Sequence, residues 1–62
     1  MEILDKLCNA PVGASIILSY DDLSTCEYYR VKMAKAIHEY PGVVVKRVKT
    51  KNHYNLLITK EN

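Results

Sequence analysis

With 62 residues the chain has room for one domain and one small core, because so short a chain buries only about 60% of the surface its unfolded form exposes. An apolar content of 48% beside 26% charged residues fits a folded globule and excludes a disordered tail. Uninterrupted aliphatic stretches of no more than three residues exclude a helical membrane span.

The net charge of +2 is unevenly divided. Residues 1–42 hold four basic and six acidic side chains, a balance of −2, whereas residues 43–62 hold five basic and one acidic, a balance of +4. Such asymmetry points to an anionic partner, although lysines also keep an exposed hairpin soluble and unpaired. The two cysteines, Cys8 and Cys26, form no CxxC or Cys/His cluster, so neither a zinc site nor any other cofactor is expected. Both fall on apolar helix faces, where reduced thiols are expected in place of a bridge. The opening Met-Glu, followed by acidic and polar residues, does not read as a signal peptide. The expected setting is a cytoplasm, that of a host if the chain is viral.

In chain order, EILDKLCN (residues 2–9) places Ile3, Leu4, Leu7 and Cys8 on one face of a short helix, and the Pro11 and Gly13 that follow break the pattern. ASIILSY (residues 14–20) reads as a strand, with Ala14, Ile16, Leu18 and Tyr20 on one side and the more polar Ser15, Ile17 and Ser19 on the other. That asymmetry fits a sheet covered on one face only. Ser24-Thr-Cys-Glu27 has capping-box spacing, with Leu23 and Tyr28 placed for a hydrophobic staple, and predicts a helix from Thr25 to about Tyr40. Its apolar stripe is Cys26, Tyr29, Met33, Ile37 and Tyr40. Pro41-Gly42 should end it.

Residues 43–60, VVVKRVKTKNHYNLLITK, read as a β-hairpin with a basic tip. Two registers are available. A two-residue turn at Lys51-Asn52 puts Tyr54, Leu56 and Ile58 on one face with Lys49, Arg47, Val45 and Val43. A three-residue loop, residues 50–52, instead sets Val48, Lys46 and Val44 opposite them and gives Asn52 the left-handed conformation. The second is preferred, with Lys46 as its weak point. The uncovered face then carries Arg47, Lys49, His53 and Asn55 towards the tip, and Val43, Val45 and Leu57 near the base.

No catalytic set is recognisable. His38 and His53 sit on a helix flank and at a strand start, the cysteines have no placed base, and two glycines cannot build a phosphate loop. The expectation is a protein that is not an enzyme and takes no small-molecule substrate. Two partners remain. Nucleic acid would meet Lys46, Arg47, Lys49, Lys51, His53 and Asn55, since cations on a ribbon neutralise phosphates. A protein would meet the apolar Val43, Val45 and Leu57.

Pro11-Val-Gly13-Ala-Ser15-Ile, a capped helix and a basic hairpin occur here in the order that resembles the small βαββ proteins encoded by bacteriophages and other mobile elements. The resemblance spans most of the chain. It implies either DNA or RNA binding or the blocking of a host protein, such as one of a transcription or defence system, and it assigns no individual residue. The expected architecture is a single α+β domain over residues 1–62: a short N-terminal helix, then β-α-β-β, with one helix packed on a three-stranded mixed sheet. The small core suggests a homodimer, formed through the open face or an edge.

Overall fold

A computed structural model describes residues 2–62. Helix α1 (Glu2–Cys8) leads to strand β1 (Ser15–Tyr20), helix α2 (Leu23–Ala36), a single 3₁₀ turn (Ile37–Glu39), and strands β2 (Val43–Lys49) and β3 (Tyr54–Lys60). The small α+β architecture and the C-terminal hairpin agree with the sequence reading.

The sheet order is β1-β3-β2, and both pairings are antiparallel. The expectation of a mixed sheet is therefore corrected. β1 and β2 do run parallel, but β3 is inserted between them and they never pair, which makes β1-α2-β2 a split βαβ unit. Composition explains the order. β3 carries Leu56, Leu57 and Ile58 and takes the central place, while β2, with Lys46, Arg47 and Lys49, can solvate its charges only at an edge.

Both helices lie on one face. Leu4 and Leu7 of α1, Cys26 and Met33 of α2, Val43 of β2, and Leu56 and Ile58 of β3 form the buried core. Ile16, Leu18 and Tyr20 of β1 pack against it, as the alternation of that strand predicts. Burial, the largest influence on Cys26, pushes its thiol pKa up, as befits an inert core cysteine. Tyr29 stays at the stripe's margin by stacking on Tyr20, with centroids 5.2 Å apart and planes 11° from parallel.

The hairpin adopts the other of the two registers, not the preferred one. Lys49 pairs with Tyr54, Arg47 with Leu56 and Val45 with Ile58, so Val43, Val45, Arg47 and Lys49 share the helix side of the sheet. The connection is residues 50–53, closed by the Thr50 N–H donating to the His53 carbonyl at 3.0 Å. Among the described residues no non-glycine has positive φ, so Asn52 is not left-handed as expected. The physical reason lies on α2. Glu27 reaches over the edge and accepts from the Arg47 guanidinium, so an arginine opposite Leu56 is compensated. The alternative would have pressed Lys46 towards Leu56.

The N-cap also differs. α2 starts two residues earlier than the capping box implies, and Asp22, in extended conformation, accepts from the Thr25 N–H at 2.8 Å and from the Thr25 hydroxyl at 2.8 Å. These bonds hold the Asp22 carboxyl below its usual pKa, the backbone bond most. Glu27 is thereby released to pair elsewhere. Leu23 and Tyr28 are both exposed and make no staple.

Gly13 (φ 97°) and Gly42 (φ 87°) hold the two left-handed positions. A Cβ at Gly13 would meet nothing within 4 Å, but one at Gly42 would lie 2.5 Å from the Asn62 carbonyl oxygen. Gly42 also accepts from the Glu61 N–H at 2.7 Å, so the backbone there cannot withdraw freely. Gly13→Ala should cost about 1 kcal/mol of conformational strain, and Gly42→Ala roughly twice that or more. Urea denaturation of the two variants checks the ranking; equal losses would remove the role given to the close approach.

Candidate nucleic-acid interface

β2 is an edge strand, so its cations project on both sides of one margin of the sheet. Lys46 stands on the open face, paired with Leu57, while Arg47 and Lys49 stand on the helix side and Lys51 is exposed on the connecting loop. The four charges follow one edge to its tip. The other register would have put Arg47 and Lys49 on the open face and Lys46 on the helix side, so the observed one exchanges the two sets.

Each cation has a different freedom. Glu27 accepts two bonds from Arg30 Nε, at 3.0 and 3.2 Å, and one from Arg30 Nη2 at 2.9 Å, and also pairs with Arg47. Hydrogen bonding from Arg30, and then from Arg47, holds the Glu27 carboxyl below its usual range. Arg47 is half-exposed but committed to this carboxylate. Lys49 lies 5.3 Å from the centroid of the Tyr54 ring, a weak cation–π contact that leaves the ammonium in water. Lys46 and Lys51 are exposed.

The two remaining candidates occupy other places. His53 Nε2 lies 3.5 Å from Asp21 Oδ1, across the tip from the α2 cap. Asn55 is only 6% exposed. Its Oδ1 accepts from the Ser19 hydroxyl at 2.6 Å and its Nδ2 donates to the Thr50 hydroxyl at 3.2 Å. Asn55 therefore braces β1 to the hairpin mouth, and a central-strand position, which the sequence does not declare, is why.

The apolar set divides similarly. Val43 is in the core and Val45 is half-buried on the helix side, so neither contributes to the open face. Leu57 does, with Ile17 (63% exposed), Val44 and Val48 (42% exposed) around it. Val44 and Val48 were missed because the favoured register turned them inwards. The outer face of α2 carries a further exposed pair, Tyr28 and Val31, with Lys32 5.5 Å from the Tyr28 ring centroid. Their off-stripe helical positions could have marked them.

Among the described residues no three His, Cys, Asp or Glu side chains are grouped to hold a metal, and no helix is long and apolar enough to cross a membrane. The geometry defines a class: a one-helix-layer α+β module with a cationic edge strand and an uncovered sheet face. No family model, curated protein sequence or solved structure matches the chain.

Proposed function

We propose that this protein is a non-enzymatic nucleic-acid-binding module that grips phosphates with the β2 edge and its tip. The observation that carries the reading is the run Lys46, Arg47, Lys49 and Lys51 along one exposed margin, in which Glu27 pairs with Arg47 alone. Cations on the outer edge of β2 and on the 50–53 connection can track a phosphate backbone and neutralise it. Arg30 extends the margin onto α2 through its bond to Glu27. A cytoplasmic setting, in a host cell for a phage or other mobile-element protein, goes with this reading.

Fluorescence anisotropy against duplex and single-stranded DNA over a salt series tests it. The double variant Lys49→Gln/Lys51→Gln spares the fold, because neither lysine pairs with a carboxylate among the described residues. Its affinity should fall roughly fivefold at low salt, and its log–log salt slope should flatten by about 0.9 for each duplex phosphate no longer neutralised. Binding absent from the wild type, or an unchanged slope, defeats the proposal.

A second reading is favoured by one observation, the exposure of Ile17 and Val48 beside Leu57 on the open face. In that reading the face docks on a host protein, of a transcription or defence system, and the lysines rim the interface. DNA affinity lost on Ile17→Ser while the salt slope is retained would count against it, by placing the open face against the DNA.

A further inference from the structure

The sheet has two edges, and they are built differently. β2 carries Lys46, Arg47 and Lys49, the kind of charge that keeps an edge from pairing with another chain. β1, the opposite edge, reads Ser-Ile-Ile-Leu-Ser-Tyr, with no charge and no proline over Ser15–Tyr20. Gly13 and Ala14 together oppose Lys60 in a bulge just before the strand, but from Ser15 opposite Thr59 to Tyr20 opposite Tyr54 the register is continuous, so no bulge interrupts the edge itself. The Lys60 N–H donates to the Ala14 carbonyl at 2.9 Å, which sets the phase of the strand: even-numbered residues turn their main chain towards β3, and Ser15, Ile17 and Ser19 turn theirs outwards.

We infer that β1 is a homodimerisation edge, pairing antiparallel with the β1 of a second copy across a two-fold axis at Ile17. Residues opposite one another in an antiparallel pair must lie on the same face, so the two-fold register places Ile17 against Ile17, Ser15 against Ser19, and Ile16 against Leu18 of the other copy. Among these, Ser15, Ile17 and Ser19 are the residues whose N–H and C=O groups already point outwards. The pairing covers the most exposed aliphatic side chain of the sheet, and it brings together two uncharged edges where β2 against β2 would oppose lysines. A six-stranded sheet results, with the cationic β2 edges at its two ends, about 24 Å apart at the ordinary strand spacing. The inference stands apart from nucleic-acid binding and is tested without it.

Sedimentation equilibrium of the free protein over a concentration series should give twice the 7.1 kDa monomer mass. Ile17→Lys places two ammonium groups face to face at the axis and should weaken the dimer roughly tenfold or more. Val48→Lys, on the same open face but remote from β1, should leave it unchanged. Amide exchange at Ile17 and Ser19 should slow as concentration rises, which decides the matter should Ile17→Lys fail to fold. A wild type that stays monomeric at millimolar concentration, or a dimer that Val48→Lys breaks as readily as Ile17→Lys, overturns the inference.

Discussion

Leu56→Ala should leave the protein largely unfolded at room temperature. Leu56 is fully buried in the middle of the central strand, beneath α2 and flanked by Leu18 of β1 and Arg47 of β2. Emptying such a site costs about 2–5 kcal/mol, the forfeited burial plus the cavity left behind. A single core in a chain this short rarely supplies more than about 3–5 kcal/mol in total. The change therefore consumes most of the margin. Far-UV circular dichroism and a urea titration are the measurements, with Val48→Ala as the control, since an exposed aliphatic remote from β1 contributes little. A Leu56→Ala protein that melts within a few degrees of wild type would show that the core is not where the stability lies, or that association supplies it.

The second large effect is a gain. Glu27→Gln should bind DNA more than tenfold tighter at low salt, because it removes the carboxylate that pairs with both Arg47 and Arg30 and releases them to meet phosphates. The salt slope should steepen, by about 0.9 for each arginine that finds a phosphate on duplex. Stability moves the other way. The folded pKa of Glu27 lies below its ordinary value of 4.5, so the contribution it makes is complete above that pH and is lost as pH falls through the lowered value. Glu27→Gln should remove that part of the acid sensitivity while lowering stability at neutral pH. A folded variant with unchanged affinity would mean that the β2 edge does not face the ligand.

The elements were legible because each rests on local chemistry. Leu4 and Leu7 on α1, Cys26 and Met33 on α2, and the alternation of Ile16, Leu18 and Tyr20 can all be read within a few residues of themselves, and all occupy the places their spacing predicts. The hairpin register could not be read so locally. Its parity turned on whether Arg47 or Lys46 faces the helix, and the deciding partner, Glu27, lies 20 residues away. The cap was misplaced for a related reason: Asp22 and Ser24 are both good N-caps, and the use of Glu27 elsewhere decides between them. The cationic residues were found, but their distribution over two sides of an edge depends on strand order. So does the conversion of Asn55 from an exposed tip residue into a buried brace.

The placement of β3 bears on how the chain leaves the ribosome. Every strand pairing in the sheet has β3 as one member, and β1 finds its partners between Tyr54 and Thr59. While residues 54–60 are still inside the exit tunnel, β1 and β2 have nothing to pair with, and Leu56 and Ile58 are missing from the core. Without β3 no strand pairing of this sheet can form. Until residues 54–60 are available the Ser15–Tyr20 segment has no strand to pair with, and this dependence of β1 on a partner about 40 residues away makes its pairing a high-contact-order, slow event.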